Sequence, residues 1–221
     1  MEIKDVNKLI RTLNLVNGCD IGCNYCYARN INRRFHITED FSTPEFMDKR
    51  MKRIATKKPN NYLMTSMSDF SGWKPEWRTQ VFDAMKNNPQ HKYLFLTKRP
   101  EDISFTTELS NVWMGATVTN SSDKHRIQTL TQNINCPNYF LTFEPLFGDV
   151  GELKLDKIGW IVIGTETGNR KGKITAQADW IKNIVLQAQK KNIPVFMKTR
   201  LLEIVGEENI IQELPTTFIH D

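Results

Sequence analysis

Cysteine is scarce in this 221-residue chain: there are four, and three of them, Cys19, Cys23 and Cys26, fall within eight residues. So few exclude a disulfide scaffold, and three so close along the chain could staple little of it. Long apolar runs are missing too. None approaches the roughly 20 residues that a bilayer span requires, and the opening MEIKDVNKLIRTLNL lacks the cation-then-apolar order of a secretory signal. The expectation is a soluble, cytoplasmic protein with no membrane partner. No internal repeat or low-complexity linker divides the chain, so residues 1–221 read as one domain. Histidine is sparse: His36, His91, His125 and His220 stand apart from any carboxylate at metal-ligand spacing and read as surface residues. A strong charge of one sign is also absent. The net charge of +5 is mild beside dedicated nucleic-acid binders, and the basic runs DKRMKRIATKK (48–58) and GNRKGK (168–173) read first as solvated faces, with an anionic partner as the alternative.

What is present is an alternation of short apolar runs with longer amphipathic ones, the pattern of strands joined by crossover helices. Strands are expected at 11–16, 61–67, 92–97, 111–118, 138–144, 159–165 and 194–199. Most are continuously apolar, as in a parallel sheet covered on both faces. Helices are expected at 26–35, 44–56, 75–87, 100–109, 121–133 and 176–191, with a terminal helix and tail over 201–221. Polar residues collect after nearly every strand: the cysteines, then Ser66, Ser68 and Asp69, then Thr97, Lys98 and Arg99. Thr117 and Thr119, Glu144, Thr165 and Glu166, and Lys198 continue the series. A barrel converges all such ends on one face, whereas a doubly wound sheet uses only those at its switch point. The fold class expected is therefore α/β, a partial (β/α) TIM-like barrel of six to seven parallel strands.

The cysteine spacing C-x3-C-x2-C suits three chemistries. A structural zinc needs a fourth ligand, and Cys136, at the start of the fifth strand, stands at the opposite end and reads as a small core residue. A redox pair would use only Cys23 and Cys26. A [4Fe-4S] cluster on three thiolates leaves one iron open to a further ligand. Glu144 and Glu166, each directly after an apolar strand, need partners, and Lys198 is the natural one. The methionines, including Met64, Met67 and Met85, read as packing residues.

The motif, with Tyr25 directly before its last cysteine, resembles the signature loop of the radical S-adenosylmethionine superfamily. The ordered set GCNYCYA, SMSD, LTKRP, NVWMGATV, FEPLFG, WIVIGTETG and PVFMKT is similar to a bacterial and phage-encoded radical-SAM-like family. The resemblance implies a [4Fe-4S] cluster on Cys19, Cys23 and Cys26. There S-adenosylmethionine is reductively cleaved to a 5′-deoxyadenosyl radical that takes hydrogen from a small-molecule, nucleotide or nucleobase substrate. It further implies Ser66, Ser68 and Asp69 at the methionyl ammonium, Lys98 with Arg99 at the carboxylate, Thr97, Thr117 and Thr119 among the polar groups around the cofactor, and Gly164 at the adenine. Tyr25 would shield the cluster, while Glu144, Glu166 and Lys198 would face the substrate. A flavodoxin- or ferredoxin-like reductant is the implied partner of a monomer or weak dimer. Two alternatives stay open from the residues: a zinc-stabilised nucleic-acid-binding module, and a non-catalytic phage accessory protein.

Overall fold

A computed structural model describes residues 3–218. Its centre is a seven-stranded sheet of β1 (Arg11–Thr12), β2 (Asn61–Leu63), β3 (Lys92–Thr97), β4 (Val112–Thr117), β5 (Asn138–Phe143), β6 (Ile158–Ile163) and β7 (Val195–Met197). Every neighbouring pair is parallel and the spatial order follows the chain order without a switch point. The sheet curls into a half-barrel. All seven expected strands are present, the first as only the exposed pair Arg11–Thr12; the others carry apolar runs with two faces to bury.

The two faces have different contents. Outward residues such as Tyr93, Phe95, Met114, Leu141 and Ile161 join the large core beneath the helices. Inward residues Leu94, Trp113, Phe140, Trp160, Val162 and Phe196 form a second core with Phe218. Space there is tight: a methyl group on Gly115 of β4 would stand 2.5 Å from the Phe140 ring. Each fully buried aromatic of this size contributes about 1.5–3 kcal/mol.

The covering helices are α1 (Tyr27–Phe35), α2 (Pro75–Lys86), α3 (His125–Asn133) and α4 (Ala178–Lys190). The Cys26 thiol accepts from Arg29 N–H (3.4 Å) at the N-terminus of α1, and His36 in the left-handed region (φ 48°) ends that helix. Proline occupies the first turn of α2, where its missing N–H costs nothing.

Several expected elements differ. The first strand stops at Thr12, and Val16–Asn17 turns away to pair antiparallel with Glu45–Phe46. That pairing takes the start of the helix expected at 44–56, leaving only a 3-10 segment at Asp48–Arg53. The helix expected at 100–109 is one 3-10 turn, Pro100–Asp102, followed by Phe105–Thr106 pairing with Ile134–Asn135. Beyond β7 the described residues form only short turns and the four-residue helix Leu202–Val205, and 219–221 of the expected tail lie outside them. His91 is not on the surface. It is fully buried, with Nδ1 accepting from Asn60 N–H (3.2 Å), which leaves Nε2 to donate to the Ile54 carbonyl (3.0 Å). His36 and His125 are exposed, and His220 lies outside the described residues. No helix among the described residues is long and apolar enough to cross a membrane.

Candidate functional site

The period of two along each strand carries the inward column past the aromatic layer and makes it polar. Register pairs Thr117 with Thr142, and Thr142 with Val162. The Thr142 hydroxyl donates to the Thr117 hydroxyl (3.1 Å), both buried. One step beyond stand Glu144, Gly164 and Lys198 after β5, β6 and β7. The Lys198 ammonium lies 2.5 Å from Glu144 Oε2, each side chain about a third exposed. A methyl group on Gly164 would meet the Glu144 carboxyl at 2.9 Å, so glycine here gives that carboxylate its place. These three sequence-expected residues are one constellation. Thr142 was missed; its alternation with Phe140 and Glu144 is the signal that points to it.

Glu166 is placed differently from the expectation that Lys198 would serve it. Its buried carboxylate accepts from Arg170 Nε (2.5 Å) and Nη2 (2.8 Å), and from Ile174 N–H (3.2 Å). The bidentate guanidinium holds its pKa below the ordinary carboxylate value. Glu166 thus folds its own loop, beside a cavity of about 80 Å³ lined by Thr165, Lys173, Thr175, Arg200 and Glu203. A larger groove of about 410 Å³ lies away from this mouth, between α2 and Ser104–Leu109.

On the opposite side of the mouth, Gly18 adopts φ +105°, with Thr43 O 2.5 Å from where a side chain would begin, so only glycine fits before Cys19. Gly18 N–H donates to Met67 O (2.9 Å) and Cys19 N–H to Phe41 O (2.6 Å), which pins the loop to the end of β2. Cys19, Cys23 and Cys26 are all half-buried and free of disulfides. Burial, then the nearby Asp69 and Cys23, push the Cys19 thiol up to about 11 against the opposing pull of Ile21 N–H and Lys98. Tyr25 packs edge-on against Phe147 (4.9 Å), with its hydroxyl against the Cys23 thiol. Among the described residues no three His, Cys, Asp or Glu side chains are placed to hold one metal ion.

The remaining expected groups are largely engaged with one another. Asp69 accepts from Thr97 Oγ1 (2.6 Å), Lys98 N–H (2.8 Å) and both Ser71 N–H and hydroxyl, tying β2 to β3. Ser66 donates to Asn14 (2.9 Å) and Ser68 accepts from Trp73 Nε1 (3.0 Å). Thr119 donates to Asp123 (2.7 Å), itself paired with Arg126, which reaches the Thr117 carbonyl (2.9 Å). Arg99 is bound to Asp20 inside the cysteine loop, a cross-link the sequence reading missed. Lys98 differs: its ammonium has no ion pair among the described residues and sits close enough to Cys19 to affect the thiol.

The family model described as a protein of unknown function (DUF5131) matches residues 5–201. The chain belongs to this DUF5131 family. The matched span takes in the cysteine loop, all seven strands and both members of the Glu144–Lys198 pair. No curated protein and no solved structure matches the chain.

Proposed function

We propose that this DUF5131 chain is a radical S-adenosylmethionine enzyme with a [4Fe-4S] cluster on Cys19, Cys23 and Cys26. The observation that carries the reading is the placement of three disulfide-free, half-buried thiols on one loop at the polar mouth of a parallel half-barrel. The donor set fits. Soft thiolates suit iron and sulfide, and a thiol pushed up by burial beside Asp69 gains from a cationic group there. Three thiols alone leave a tetrahedral structural zinc one protein ligand short, whereas a cubane would accept them and keep one iron open. Bound there, the group would supply reductive cleavage of S-adenosylmethionine and a 5′-deoxyadenosyl radical.

The chain's own part follows from its geometry. Lys98 offers an unpaired ammonium to a carboxylate beside Cys19. Tyr25 and Phe147 exclude water from the Cys23 side. Glu144 and Lys198 can hold a proton between Oε2 and Nζ at the mouth, or recognise a polar substrate. The test is anaerobic reconstitution with iron and sulfide analysis. About four irons per chain are expected, with 5′-deoxyadenosine released on adding dithionite and S-adenosylmethionine. Cys23→Ala should lose the iron; full iron content in that variant would refute the assignment.

A further inference from the structure

The net charge is not spread over the molecule. Residues 27–58, the crossover from the cysteine loop to β2, hold nine lysines and arginines against four acidic residues; the rest of the chain holds twenty-one of each sign. This one crossover therefore carries the whole +5. Ion pairing sharpens the asymmetry: the cations in ion pairs among the described residues are Arg99, Arg126, Arg170, Lys191 and Lys198, all outside the segment. The rest of the chain balances its charges and supplies every ion pair among the described residues, whereas this segment has more than twice as many cations as acidic residues and supplies none.

Helix α1 adds a second observation. It has no acidic residue. Four large hydrophobic side chains stand out as exposed among the described residues, and two of them, Tyr27 (54%) and Phe35 (62%), are the first and last residues of α1. Arg33 and Arg34 are exposed beside Phe35, and the Arg34 guanidinium lies 5.2 Å from the Phe35 ring centroid. The Tyr27 hydroxyl donates to Ser66 O (2.7 Å) at the mouth, so the open ring among these cations is Phe35; exposed cations beside an open aromatic face are what a phosphate backbone with splayed bases requires. A purely acidic protein would use the charge and leave the ring unexplained.

We propose that α1 and the crossover it opens are a binding surface for single-stranded nucleic acid, with phosphates on Arg33 and Arg34 and a base stacked on Phe35. The surface begins at Cys26, the N-cap of α1, but needs no group on the cysteines.

The test is fluorescence anisotropy of a labelled mixed-sequence single strand, as DNA and as RNA, titrated with the full chain over a range of salt. Binding to either strand type is expected, weakening as salt rises. Arg33→Ala with Arg34→Ala should lower the slope of log affinity against log salt by about 1.4, from about 0.7 per phosphate contact. Phe35→Ser should weaken binding roughly tenfold, the scale of one lost base stack. All three side chains are exposed, so circular dichroism should be unchanged. Cys23→Ala should still bind, which separates this surface from the cluster assignment. No binding at low salt, or binding indifferent to Arg33 and Arg34, overturns the proposal. So does competition by polyglutamate equal to that of the oligonucleotide with no effect of Phe35→Ser, which marks an acidic-protein face. Loss of binding in Cys23→Ala would place the strand on the cysteine loop and overturn it as well.

Discussion

Two carboxylates at the mouth illustrate how the same residue type takes different duties from its neighbours. Glu144 and Lys198 are both partly solvated, so their ion pair contributes little to folding. Lys198→Met should change stability by less than about 1 kcal/mol. If the pair handles a proton, the same variant should lower turnover by about a hundredfold and flatten its pH profile. Glu166 is the reverse case. Its folded pKa lies below the ordinary 4.5, so its contribution is present at neutral pH and is lost as acidification passes through the depressed value. Glu166→Gln should cost about 1–3 kcal/mol at pH 7. Denaturant titrations should show that gap closing as the pH falls below roughly 4, while a gap independent of pH would contradict the ionised bidentate pair.

Among the elements, β4 and β5 meet most tightly where Gly115 faces Phe140. Gly115→Ala should destabilise by about 1–3 kcal/mol through overpacking, and Phe140→Leu in the same chain should recover part of it. The strands from β2 onward could be read from the sequence because runs of Val, Ile, Leu, Met and aromatic residues leave few alternatives to a doubly covered sheet, whereas β1 keeps only the exposed pair Arg11–Thr12 of its expected span. The cysteine loop and the Glu144–Lys198 pairing were legible for a related reason: strand ends of a parallel array share one face. The two false helices were not. PEFMDKRMKR has helical composition, but Phe46 stacks on Trp77 (5.9 Å) and Met47 N–H bonds Leu15 O (2.7 Å), so tertiary contacts hold it otherwise. Ile103, Thr106 and Thr107 are β-branched, and the chain there extends to a strand 29 residues away in register, Phe105 with Ile134. Side-chain engagement was least legible. Nothing in SMSD or TKRP announces that Asp69, Thr97 and the Lys98 N–H satisfy one another, or that Arg99 goes to Asp20.

For the whole molecule, the outer core joins α2, α3 and α4 to the sheet without a break, while α1 packs in a small cluster of its own with Phe41 and Met67, so unfolding of the sheet and those three helices should be a single transition, coincident in near- and far-ultraviolet circular dichroism. The inner core depends on a residue far along the chain: Phe218 packs edge-on to both Trp113 (5.1 Å) and Trp160 (5.2 Å). Phe218→Ala should cost about 3–5 kcal/mol. Its backbone carbonyl also accepts from Asn61 Nδ2 (3.1 Å), as does that of Leu9. The aromatic rings thus cork the vessel at its floor, and the thiols stand at the other rim, so a thiol reagent should reach them without loosening those rings.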